Sequence, residues 1–285
     1  MDSKPQKPIL TIEQMTMRFG GLEAVSDFSA QIHSGEILGL IGPNGAGKTT
    51  IFNVVTGVYQ PTRGHIYLND KAIDHYEPHV ITHLGIARTF QNIRLFHTMT
   101  VLENLQAAMH HELSNVKPDK ILKKWQQKKK GASDWWFWKS VFKLGYFKKE
   151  REQREKAEYI LEKLGMLKHK DELAHSLPYG EQRKLEIARA LATTPQLLLL
   201  DEPAAGMNPS ESVALMNLVR NIRDDFNVTV FLIEHDMKFV MGLCERIIVL
   251  DYGKAIAMGD PAQIRSNPKV IEAYLGEEWK DVVSS

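Results

Sequence analysis

From Ile9 to Phe19 apolar and polar side chains alternate, and after Gly20-Gly21 a second alternating stretch puts Val25, Phe28, Ala30 and Ile32 on one side. A period of two is the pattern of a strand with one buried face, so these stretches predict an antiparallel β layer. The segment Pro61 to Leu68 reads as turn and strand returning toward that layer. A different pattern marks Ile37-Leu38-Gly39-Leu40-Ile41, Leu197 to Leu200, Val228 to Ile233 and Arg246 to Leu250, which are almost continuously apolar. Such runs suit strands covered on both faces in a parallel sheet. Asp251 to Lys254 then turns the chain into Ala255 to Met258.

Helical spacing occurs at Ala157, Ile160, Leu161 and Leu164, closed by Gly165, and at Leu185, Ala188, Leu191 and Ala192 after Pro178. Thr100 and Glu103 stand at capping-box spacing ahead of Leu105. Strands alternating with helices predict an α/β fold around a parallel sheet.

With 285 residues, 43% of them hydrophobic, the chain can bury a sizeable core as one large domain or a domain carrying an insertion. A net charge of +1 leaves the choice of partner open. No apolar run approaches the ~20 residues needed to cross a bilayer, and Met1 to Pro8 does not resemble a signal peptide. A cytosolic chain is therefore expected. Cys244 is the only cysteine, which excludes an intramolecular disulfide and reads as a small buried apolar residue.

The chemistry concentrates first in Gly42-Pro43-Asn44-Gly45-Ala46-Gly47-Lys48-Thr49-Thr50, directly after an apolar run, with a helix expected from Thr49 to Thr56. This fits the phosphate-loop pattern G-x-x-x-x-G-K-[ST] between a strand and a helix. Its glycines let backbone N–H groups curl around an anion, and the helix adds its positive dipole end. Lys48 would reach the β- and γ-phosphates and Thr49 would ligate Mg²⁺. A nucleoside triphosphate, ATP with Mg²⁺, is the expected ligand. The histidines show no spacing that supports a metal cluster.

The order of the phosphate loop, Gln91, Leu177 to Gln182, Asp201-Glu202 and His235 resembles the ATP-binding subunits of ABC transporters, from Ile9 to about Leu275. The resemblance implies a RecA-like α/β core with an antiparallel β subdomain over residues 9–94 and 193–258. A helical subdomain at 95–192 and a tail at 259–285 would complete a single domain spanning 1–285. By resemblance Phe19 is the aromatic that stacks on adenine, although a lone aromatic in a β layer is more often core. Gln91 would contact Mg²⁺ and the attacking water, and Asp201 would hold Mg²⁺ through water. Glu202 would be the general base, polarising water in line with the γ-phosphorus. His235 would hydrogen-bond the γ-phosphate, and Tyr179, Gly180 and Glu181 would contact nucleotide bound to an opposing subunit. Implied partners are a second ATPase subunit, two transmembrane permease subunits and, indirectly, a substrate-binding protein. The implied place is the cytoplasmic face of the inner membrane, without nucleic acid.

Two segments depart from the family pattern. Leu177-Pro178-Tyr179-Gly180-Glu181 stands where Leu-Ser-Gly-Gly-Gln is usual, and Ala204-Ala205-Gly206-Met207-Asn208 where Ser-Ala-Leu-Asp is common. Pro178 removes a hydroxyl and an N–H, so slower hydrolysis at the site receiving this signature is expected; simple placement of proline at a helix start is the plainer account. These variations and the tail Gly259 to Gly276 resemble the ATPases of high-affinity branched-chain amino acid importers. An ATPase for another solute (an amide, urea or lipopolysaccharide), a nucleotide-gated binding module, and a soluble ABC protein acting on nucleic acid are the alternatives.

The Lys/Trp-rich insertion at 112–156, with Trp125, Trp135, Trp136 and Trp138, admits three readings. These are an anionic leaflet contact, stacking on single-stranded nucleic acid, and a solvated amphipathic hairpin whose aromatics pack on a neighbouring helix.

Overall fold

Alternation and continuous apolarity separate into two sheets. In the computed structural model, which describes residues 7–114 and 135–274 and the side chains of 7–109 and 149–274, strands β1 (Pro8–Phe19), β2 (Leu22–His33), β4 (Arg63–Leu68) and β5 (Lys71–Ala72) form an antiparallel sheet in the order β2-β1-β4-β5. Leu10, Ile12, Phe28, Ile32 and Ile66 turn the buried face of this sheet into the core. The second sheet runs β10-β9-β3-β8-β7-β6, from β3 (Ile37–Ile41), β6 (Ile86–Arg88), β7 (Leu197–Asp201), β8 (Thr229–Ile233), β9 (Arg246–Asp251) and β10 (Lys254–Gly259). Its strands are parallel except β10, which returns antiparallel along β9. Every residue of β3, β7 and β8 is buried, as their unbroken apolar runs require. Gly39 is a packing glycine: a Cβ there would meet Cys244 Sγ at 2.9 Å.

These sheets belong to one compact unit, built from the chain up to Arg94 and again from Thr194. Helices α1 (Lys48–Val55) and α2 (Pro78–His83) lie in its first segment. Phe52 of α1 packs on Phe231 of β8, ring centroids 4.9 Å apart, within a core shared by the two sheets.

The second unit, Leu95–Thr193, is helical among its described residues. Helix α3 (Val101–Ser114) opens with the expected capping box: Glu103 N–H donates to Thr100 Oγ1 at 3.2 Å and Thr100 N–H donates to Glu103 Oε2 at 2.8 Å. It packs with α4 (Trp135–Lys163) and α5 (Tyr179–Ala192) around Leu105, Met109, Ala157, Ile160, Leu161 and Leu185. The lysine run 117–130 and the side chains of Trp125, Trp135, Trp136 and Trp138 lie outside the described residues.

After β7 the first unit resumes with α6 (Pro209–Phe226) and α7 (Met237–Leu243), and it closes with α8 (Pro261–Arg265) and α9 (Pro268–Ala273).

Candidate functional site

The ends of the parallel strands carry the phosphate loop, Asp201-Glu202 and His235, as ligand sites in open α/β sheets do, whereas Phe19 lies on the antiparallel β1 and Tyr179 to Glu181 in the second unit. Strand β3 delivers the chain into the loop Gly42–Gly47, and α1 begins at Lys48, one residue ahead of the expected start. Gly42 and Gly47 are required by packing. A Cβ on Gly42 would sit 2.1 Å from Leu250 O, and one on Gly47 2.6 Å from Ala24 O, while Gly47 also holds φ +104°. Gly45, with φ +80°, faces open space, so its missing side chain keeps one side of the loop accessible. Lys48 is buried and its Nζ donates to the carbonyls of Gly42 and Pro43 at 2.6 and 3.0 Å. Thr49 is exposed and Thr50 half-buried on the first turn of the helix. Pro43, Asn44, Gly45 and Ala46 also form one wall of a cleft of about 530 Å³, whose other side is Asp251, Tyr252, Ile256, Lys269, Glu272 and Ala273.

Phe19 is half exposed rather than core, and its ring meets Tyr59 edge-on at 5.1 Å and 78°. Phe19 is the last residue of β1, ahead of the Gly20-Gly21 turn, and keeps an exposed aromatic surface of the kind that can stack.

Asp201 ends β7 as a buried carboxylate, 2.6 Å from Arg88 Nη2. Glu202 follows in the left-handed region at φ +45°, a costly conformation for a non-glycine residue, held by its N–H donating to Ile233 O at 2.9 Å. Gln91 Nε2 donates to Glu202 Oε2 at 2.9 Å, and His235 Nδ1 lies 3.6 Å from the same oxygen. Gln91, Glu202 and His235 thus converge on one point.

Glu234 was not singled out by sequence reasoning. It is fully buried, its Oε1 accepts from Ala204 N–H at 2.8 Å, and its Oε2 accepts from His235 and Asp236 N–H at 2.9 and 3.3 Å. Burial pushes its carboxyl above the usual carboxylate range, against the three amides and His235, which pull it down. Glu234 therefore ties the loop after Glu202 to the loop that carries His235. Arg88 was missed too, since an arginine ending a short strand carries no sequence signal.

The residues expected to hold Mg²⁺, Thr49, Asp201 and Gln91, offer a hydroxyl, a carboxylate and an amide oxygen, donors of the kind that suits this cation. Among the described residues no group of three or more His, Cys, Asp or Glu side chains could hold a metal ion.

In the second unit Pro178 is the N-cap of α5 and Tyr179 its first residue, so proline sits where its missing N–H costs little. Tyr179 is exposed and its hydroxyl accepts from Arg183 Nη2 at 3.3 Å, while Arg183, fully buried, pairs with Glu186 at 2.9 Å. A Cβ on Gly180 would meet nothing within 4 Å, and Glu181 pairs with Lys184 at 2.8 Å. Asn208 caps α6 in a full capping box with Glu211. A local structural duty therefore accounts for asparagine at that point.

The ABC transporter family matches residues 25–205, and the branched-chain amino acid ATP-binding cassette transporter family matches residues 256–280. Over 272 residues the chain is 45% identical to the high-affinity branched-chain amino acid transport ATP-binding proteins LivG of Escherichia coli K12 and BraF of Pseudomonas aeruginosa. Each match covers 95% of this chain and 99% of the relative. Among solved structures it is similar to MJ1267, an ATP-binding cassette of an ABC transporter in its ADP conformation, with a TM-score of 0.77 and 32% identity. That match covers 95% of this chain and all of the other.

Proposed function

The chain belongs to the ABC transporter family of ATP-binding proteins, and from that premise we propose that it is the ATP-hydrolysing motor subunit of an importer of branched-chain amino acids. The convergence of Gln91, Glu202 and His235 beside a phosphate loop carries the ATPase reading. The branch reading rests on the match over residues 256–280 and on the 45% identity to proteins named for branched-chain amino acid transport.

In this reading the amides of Gly42 to Thr50 and Lys48 bind the phosphates, and Phe19 stacks on adenine. Thr49, Asp201 and Gln91 would hold Mg²⁺, which neutralises charge on the phosphoryl oxygens when bound. Glu202 takes a proton from water while Gln91 orients its carboxylate. His235 donates a hydrogen bond to the γ-phosphoryl group, which passes to the water as ADP leaves. Tyr179 to Glu181, at a helix N-terminus with an open glycine, contact nucleotide on an opposing ATPase subunit, which is identical or related.

No helix among the described residues is long and apolar enough to cross a membrane. In this reading translocation falls to two permease subunits, as the names of the related transport ATP-binding proteins suggest, with this chain sitting peripherally on the cytoplasmic face and a binding protein supplying the solute from the other side. The test is ATPase activity of the chain reconstituted with permease subunits and binding protein. Stimulation by leucine-loaded binding protein, lost in Glu202→Gln, is expected. Glu202-dependent hydrolysis indifferent to branched-chain amino acids would overturn the substrate and leave the motor.

A further inference from the structure

Arg88 ends β6, and its side chain is almost fully buried. A buried charge is tolerated only with close partners, and Arg88 has them on separate elements. Nη2 donates to Asp201 Oδ2 at 2.6 Å, at the end of β7. Nη1 donates to Asn53 Oδ1 at 2.7 Å, on α1. The guanidinium carbon lies 5.6 Å from the Phe52 ring centroid and 5.3 Å from that of Phe90. The backbone reinforces the grip, since Thr89 N–H donates to Leu199 O at 2.9 Å and Asp201 N–H donates to Thr89 Oγ1 at 3.3 Å.

We propose that Arg88 is a positioning residue for ATP hydrolysis, fixing the Asp201 carboxylate relative to the phosphate-loop helix by bridging it to Asn53. The proposal rests on Asp201 serving Mg²⁺. A carboxylate that turns about two side-chain bonds has no fixed aim of its own, and a planar guanidinium held at two nitrogens supplies one. Because Asn53 lies five residues after Lys48 on the same helix, the bridge sets the distance between the acid and the phosphate loop. Lysine would keep the charge and lose the second arm.

The experiment compares the affinity of the purified chain for AMP-PNP in Mg²⁺ with that in EDTA, and the ratio is the readout. Outer-shell partners of metal ligands are worth about 10–100-fold in metal affinity. Arg88→Met should lower the ratio by about tenfold or more, with affinity in EDTA close to wild type, and Arg88→Lys should fall between the two. Asn53→Ala, which leaves the ion pair, should lower the ratio by a smaller factor, and it decides the matter if Arg88→Met does not fold. In Asp201→Asn, adding Arg88→Met should cost nothing more. An unchanged ratio, an equal loss in EDTA, or additive losses would overturn the proposal. If Asp201→Asn alone keeps the wild-type ratio, the metal role of Asp201 falls, and this proposal falls with it while the ATPase reading through Glu202 stands.

Discussion

Gln91 Nε2 donates a hydrogen bond of 2.9 Å to Glu202 Oε2, joining the segment after β6 to the strained residue after β7. The carboxylate proposed as general base is thereby oriented by a side chain from the segment that follows another strand. Glu202→Gln keeps the volume and removes the charge, so ATPase activity should fall by about 10²–10⁴-fold while ATP still binds. Gln91→Ala should lower kcat by a smaller factor. Steady-state phosphate release with a parallel nucleotide-binding titration checks both.

Phe19 and Tyr59 present an edge-on aromatic pair at the surface. Base stacking on an aromatic is worth about 1–3 kcal/mol, so Phe19→Ala should raise KM for ATP by about 5- to 100-fold and leave kcat and the melting temperature nearly unchanged. Phe19→Tyr should restore KM. A drop in melting temperature with unchanged KM would return Phe19 to a packing role.

Glu234 accepts three backbone hydrogen bonds in a dry site, and Glu234→Ala should destabilise the fold by about 2–4 kcal/mol. Since burial holds its folded pKa above the unfolded value, the folded state binds the proton more tightly. Its contribution is therefore full at acid pH and lost as pH rises through the raised value. The gap between wild type and Glu234→Ala should be wider at pH 5 than at pH 8, measured by urea unfolding.

Cys244 is buried against Gly39, and burial pushes its thiol well above the ordinary range. The native protein should resist thiol labelling even at pH 9 and react fully once unfolded. Gly39→Ala should cost about 1–3 kcal/mol by overpacking, and adding Cys244→Ala should recover part of it. Rapid labelling of the native protein would mean that the thiol is not shielded.

The α/β class and the two kinds of strand were legible because periodicity is local: unbroken apolar runs became β3, β7 and β8, and alternation became β1 and β2. The phosphate loop was legible because its constraints act within nine residues. Arg88, Asn53 and Glu234 were not, since each matters through a partner 30 or more residues away that only the packed sheet brings near. Tyr59 escaped for the same reason. Phe19 shows the opposite limit: residue type favours burial, and the side chain lies exposed beside a hairpin turn. Asn208 belongs to a third kind, a local capping box hidden by reading the residue only as a departure from a family pattern.

Strand β6 is three residues long and, among the described residues, has a neighbour on one side only. Mechanically it is a peelable edge with Arg88 as its fulcrum. A tug on the chain beyond Phe90 would reach the Gln91 amide contact to Glu202 before it reached Arg88, whose guanidinium is held by Asp201 and Asn53. On the proposed roles, the contact to the base would be loaded before the contact to the metal acid.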